Sequence, residues 1–203
     1  SLTKDSALPM LGVRLPQLRA MAAVIAKEDA RGFLESCDFS SMEMTTLYGF
    51  VLGRLRGEIG EALGWFARAI PHIDNWANCD ALCQSFKQAA KHPAETWEFL
   101  MTLRASEEPF TLRVLAVTML CHFLTDDYID RVFAVLNETH CDAYYYKMGA
   151  AWAAATAMAR ASGAVPPPRP RHPGAITKQS TALTRPSSGA WRQGPTQGSS
   201  GRL

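Results

Sequence analysis

No stretch of the 203-residue chain is apolar without interruption over the about 18 residues that a membrane helix needs. The best candidate, 149–165, carries Arg160 and ends in prolines, so a soluble protein is expected. The opening Ser-Leu-Thr-Lys-Asp has no apolar leader core, and secretion is not expected. Paired cysteines are also missing. Cys37, Cys79, Cys83, Cys121 and Cys141 are odd in number and form no CxxC. Cys79 and Cys83 lie one helical turn apart without a His pair at zinc spacing. These absences argue against a zinc knuckle and a disulfide framework, and predict free, mostly buried thiols in a reducing cytoplasm. No metal or other cofactor is expected. Finally, residues 161–203 lack Asp and Glu altogether, yet hold 7 of the 12 prolines, 6 of the 14 glycines and 6 of the 21 basic residues.

That last absence divides the chain. The other 160 residues hold 15 Lys+Arg against 19 Asp+Glu, a core of charge −4 beside a tail of +6. The composition predicts one folded domain over residues 1–162, a usual single-domain length, and a disordered Pro/Gly/Ser-rich basic tail over 163–203.

Within the core, apolar residues recur at three and four positions rather than two, and helix-start signals punctuate them at short intervals. The fold class is all-α. Pro16 opens a helix to about Asp29 with Leu18, Met21, Ala22 and Ile25 on its apolar face. Ser40 or Ser41 starts a second, striped by Met44, Leu47, Tyr48, Val51, Leu52 and Leu55 and ending at Gly57. The third runs from about Glu58 to Ile70, and Asp74 is the expected cap of a fourth over 75–90. Pro93 and Pro109 open the fifth and sixth, and the apolar sixth is expected to be central. Thr125 or Asp126 caps the seventh, and the eighth spans about Ala143 to Arg160.

Helices four, six and eight begin near Asn75, Pro109 and Ala143, in steps of 34 residues. Such a period belongs to helix-pair solenoids, in which each pair buries its face on the next and one set of helices lines a concave surface. The TPR signature residues are absent, which favours a HEAT-like, ARM-type α–α superhelix; a compact orthogonal bundle is the alternative.

Trp76 and Asp80 are four apart, so the fourth helix presents an indole face and a carboxylate on one side. The pair suits a cation, drawn by the ring quadrupole and by the carboxylate charge. The plainer reading is a core Trp beside an Asp that is solvated or paired with an Arg. Arg113 follows Asp80 by 33 residues and Trp152 follows Arg113 by 39, about one repeat each, which puts all four on one face of successive helices. Arg113 is the lone basic residue of the apolar sixth helix and must meet an acid or an anion; a structural salt bridge is its plainer role.

Four blocks stand in order: Leu11-Gly12-Val13-Arg14-Leu15-Pro16-Gln17-Leu18-Arg19, Ile73-Asp74-Asn75-Trp76-Ala77-Asn78-Cys79-Asp80, Arg113, and Tyr144-Tyr145-Tyr146-Lys147-Met148-Gly149-Ala150-Ala151-Trp152. Together, across about Pro9 to Arg160, they resemble the AlkD-type DNA alkylation repair proteins, and most closely a branch lacking the N-terminal lesion-framing helix. The resemblance implies a HEAT-like fold and a DNA glycosylase that releases cationic N3- or N7-alkylated purines from duplex DNA. It implies that Asp80 is the catalytic carboxylate, that Trp76 and Trp152 flank the lesion, and that Arg113 contacts the DNA backbone. A monomer is expected, in the cytoplasm and at the bacterial nucleoid if it acts on DNA.

The chain departs from that family at both ends. Only ten residues precede Leu11, and Thr3 stands near the position of the framing aromatic. An acidic core is a poor general footprint for nucleic acid, leaving a local patch to be drawn from Arg14, Arg19, Arg54, Arg56, Lys87, Lys91 and Lys147. The family's last helices are replaced by the tail, read as a basic linker or as an out-of-frame end in which codons for 175–180 could spell a helical continuation. Trp191 is not expected in a site. The alternative function is a non-catalytic helical-repeat module that binds nucleic acid or protein through the same groove.

Overall fold

Proline, with no N–H to lose, starts two of the helices where the sequence places it, at Pro93 and Pro109. The computed structural model describes residues 6–163. The expectations for the tail from 164 onward, its shifted-frame alternative, Trp191 and Thr3 lie outside the described residues. Among the described residues there are nine α-helices and no strand: α1 (Leu15–Glu28), α2 (Ala30–Ser36), α3 (Met42–Leu52), α4 (Ile59–Ala69), α5 (Trp76–Ser85), α6 (Pro93–Leu103), α7 (Pro109–His122), α8 (Ile129–Glu138) and α9 (Tyr144–Ala161), with a single 3-10 turn at Ile70–His72.

The odd-numbered helices form one layer, α1 on α3, α3 on α5, α5 on α7 and α7 on α9. Behind them α2 packs on α1 and α3, α4 on α3 and α6, α6 on α7, and α8 on α9. Helices α3, α5, α7 and α9 begin at residues 42, 76, 109 and 144, so the layer advances by one helix pair every 33 to 35 residues. This is an α–α solenoid, as the period predicted. Its middle layer is buried almost all round: ten of the eleven residues of α3 are buried, and in α7 the eight residues Leu112 to Met119 are. Each fully buried Leu or Phe there contributes about 1.5–3 kcal/mol relative to exposure. A Cβ on Gly49 would stand 3.1 Å from the Leu82 Cα, so its absence lets α3 and α5 approach closely.

The structure corrects several local expectations. A two-turn helix, α2, lies between the first two helices read from the sequence, capped by the Asp29 carboxylate that accepts the Gly32 N–H at 2.8 Å. The cap of α5 is Asn75, whose Oδ1 accepts the Asn78 N–H at 2.9 Å. Asp74 instead takes up the N-terminal segment, accepting from the Ser6 hydroxyl at 2.9 Å and the Ala7 N–H at 2.8 Å. Helix α5 ends at Ser85, not near Ala90, and α8 begins at Ile129 after a turn in which the Tyr128 N–H donates to the Thr125 carbonyl. Met21, expected on the buried stripe of α1, is 47% exposed.

The Leu-Gly-Val-Arg block is held by a buried carboxylate. Glu43, in the first turn of α3, accepts the Leu11 N–H at 2.9 Å and the Gly12 N–H at 2.8 Å. Burial pushes its pKa up, but backbone N–H groups at Leu11, Glu43 itself, Gly12 and Val13 together hold it below the usual Glu range. All five cysteines are free, with Cys37, Cys79 and Cys83 buried. No helix among the described residues is long and apolar enough to cross a membrane.

Candidate functional site

Trp76 and Asp80 occupy the first two turns of α5 because Asn75, not a longer polar run, sets where the helix starts. Four-residue spacing then puts both on the face of α5 turned toward α7 and α9. A cavity of about 500 Å³ opens there, lined by Trp76, Asp80, Arg113, Tyr144, Tyr145, Met148 and Trp152. All four residues singled out in the sequence therefore line one space, contributed by three successive helices of the odd layer.

The walls are aromatic and the floor is ionic. Trp152 is 44% exposed and Trp76 half-buried, so indole faces remain open to a flat ligand. Tyr145 stacks on Phe110 with ring centroids 5.4 Å apart, and Tyr144 meets Tyr145 edge-on at 5.3 Å. On the floor, Arg113 is only 2% exposed. Its Nη2 donates to both Asp80 oxygens, at 2.9 and 3.2 Å, and its Nη1 donates to the Tyr145 carbonyl at 2.8 Å. Arg113 thus meets an acid within the protein, and that acid is Asp80.

Gly149 makes this arrangement possible. A Cβ there would lie 3.3 Å from both Cγ and Nη1 of Arg113, tighter than ordinary contact, so the bare backbone of α9 forms the slot in which the guanidinium lies. Burial pushes the Asp80 carboxyl up from the usual Asp range, and the charge and hydrogen bonds of Arg113 pull it only part of the way back. The result is a carboxylate with incomplete access to water, able to orient one water molecule or to face a cation once its arginine is shared. Among the described residues, no three His, Cys, Asp or Glu side chains converge as a metal site.

Tyr144, Tyr145, Met148 and Gly149 were not singled out for roles from the sequence. A signal existed for two of them: Tyr144, Met148 and Trp152 follow at four-residue intervals, one face of α9. Gly149 and the Tyr145 carbonyl act through backbone, which side-chain patterns do not reveal.

Comparison with protein-family models matches residues 3–147 to one described as DNA alkylation repair enzyme. Searches of curated proteins and of solved structures returned no match.

Proposed function

Since the chain belongs to the DNA alkylation repair enzyme family, the match spanning well over half its length, we propose that it is a DNA glycosylase hydrolysing the N-glycosidic bond of cationic N3- or N7-alkylated purines in duplex DNA. The observation that carries this reading is the cavity in which Trp76, Trp152 and two tyrosines surround a poorly hydrated Asp80. Alkylation at N3 or N7 makes the base a cation and a good leaving group. The protein then needs to stabilise an oxocarbenium-like sugar and guide water, not to protonate the base. Asp80 supplies both, its negative charge facing the developing cation and its oxygens orienting the attacking water as general base. Trp76 and Trp152 hold the cationic nucleotide by stacking and cation–π attraction, worth about 0.5–2 kcal/mol per ring. Arg113 keeps Asp80 ionised and, on engaging a phosphate, frees it toward the sugar.

One observation favours a second reading. Asp80 is already neutralised by Arg113, so the pair could serve only to join α5 to α7 in a non-catalytic module that binds DNA in the same groove. Release of 7-methylguanine and 3-methyladenine from methylated duplex separates the two. The glycosylase releases base and Asp80→Asn does not, while both bind DNA; a folded wild-type protein that binds duplex and releases nothing is the module.

A further inference from the structure

The acidic excess of the core is not spread evenly. Where α1, α3 and α5 meet, a second cavity of about 320 Å³ is lined by Arg19, Arg54 and Lys87, with Gln84 and Ser85 between them and no Asp or Glu. Among the described residues none of the three cations takes part in an ion pair. The larger cavity at the α1–α2 junction, about 770 Å³, differs in carrying both signs: Glu28 and Asp29 lie among its cations, and its Arg31 is paired with Glu61 at 2.6 Å.

Helix termini explain only part of the positive charge. Arg54 follows the end of α3 and donates to the Phe50 carbonyl at 2.8 Å, a normal use of a cation at a helix C-terminus. Arg19, however, is in the second turn of α1, with its guanidinium 4.6 Å from the Phe50 ring centroid and no acid to meet among the described residues. Lys87, just beyond the end of α5, likewise has no acid beside it there. Arg, Lys, Gln and Ser together form a donor-rich lining without a carboxylate, which matches the oxygens of a phosphate.

Position adds the second argument. Gln84 lies four residues beyond Asp80 on α5, about 6 Å along the axis. A DNA strand advances about 3.4 Å per nucleotide, so a strand with one nucleotide at Asp80 brings a phosphate one or two steps away to this cavity. Arg113 does not line this cavity: it lies beneath the aromatic one, with its terminal nitrogens on Asp80 and the Tyr145 carbonyl.

The geometry points to a phosphate seat between Arg19 and Lys87 that takes a backbone phosphate of the strand flanking the target nucleotide. This rests on the DNA-repair reading for the nucleotide at Asp80, but not on catalysis.

The test is the salt dependence of binding to unmodified duplex DNA by the full chain, for wild type, the double variant Arg19→Gln/Lys87→Gln, and Arg104→Gln as a control that removes a charge outside this cavity, at the end of α6 where Arg104 pairs with Glu138. The double variant should flatten the log–log slope by about one unit for each phosphate that no longer meets a cation, with Arg104→Gln near wild type. Arg19→Lys, which keeps the charge but changes the packing on Phe50, should keep the slope. An unchanged slope in a folded double variant overturns the seat and leaves DNA binding standing. If wild type binds no duplex, inorganic pyrophosphate is titrated against the amide resonances of Gly53, Ser85 and Lys87. Saturable shifts then support the phosphate seat and overturn its assignment to DNA, and their absence overturns both.

Discussion

Arg113 on α7 reaches both carboxylate oxygens of Asp80 on α5 through a single nitrogen, at 2.9 and 3.2 Å, and spends its other terminal nitrogen on α9 through the Tyr145 carbonyl. One side chain therefore ties three helices of the odd layer together beneath the aromatic cavity.

The first prediction concerns pH. Asp80 titrates above the usual Asp range because of burial, and Arg113 limits that rise. Activity that needs ionised Asp80 appears as pH rises through this pKa. Arg113→Met removes the lowering influence, so the acid limb of the kcat/KM profile moves to higher pH. The variant also leaves a buried acid without its partner and loses about 3 kcal/mol of stability at neutral pH. That loss shrinks in acid, where the proton bound by Asp80 removes the uncompensated charge. Thermal melts across pH check the second part, and an unmoved acid limb would detach Arg113 from the chemistry.

Gly149→Ala should act in the same direction and more weakly. The new methyl pushes Arg113 away from Asp80, so the acid limb rises although both charges remain. Gly64→Ala on α4 is the control, since its Cβ meets nothing within 4 Å. There the helix gains about 0.5–1 kcal/mol on replacing the glycine, and the pH profile stays in place.

Trp152 is exposed enough to be removed without opening the core. Trp152→Ala should leave the melting temperature within a degree or two of wild type and weaken preference for methylated over unmodified duplex by about fivefold, roughly 1 kcal/mol of cation–π attraction. Competition binding with Asp80→Asn as background reads this without turnover.

Glu43→Gln tests the anchor of the N-terminal block. The folded pKa of Glu43 is lowered, so its contribution is fully present above the ordinary Glu range and is lost as pH falls through the folded value. The variant should be about 2 kcal/mol less stable at neutral pH and approach wild type in strong acid. A constant difference at all pH values would assign the loss to packing.

Much of the fold was legible because its punctuation is local. Pro93, Pro109 and Ser41 mark helix starts through chemistry that acts within one turn, and the 33-to-35-residue advance follows from them. Helix α2 was not legible, since seven residues with only Phe33 and Leu34 as large apolar side chains carry no periodicity. For the site, helical spacing joined Trp76 to Asp80, and repeat spacing put Arg113 and Trp152 on the neighbouring helices. Spacing identifies the layer but not the rotamer. Whether Arg113 turned to a carboxylate or to solvent depended on the slot at Gly149 and on the Tyr145 carbonyl, neither of which leaves a mark in side-chain periodicity.

The walls of the cavity come from three different helices, α5, α7 and α9, successive coils of the solenoid, and the cavity's width is their separation. The curvature of a superhelix of this kind is the sum of small rotations from repeat to repeat. The Arg113 bridge acts as a clamp across three coils, so stretching or tightening the curvature changes the reach from Asp80 to Trp152 before any side chain has turned. Substitutions where the odd layer meets the helices behind it, such as at Tyr48 on α3, whose hydroxyl donates to the Trp65 carbonyl on α4 at 2.7 Å, are therefore expected to reach the site, if they reach it, as changes in tension.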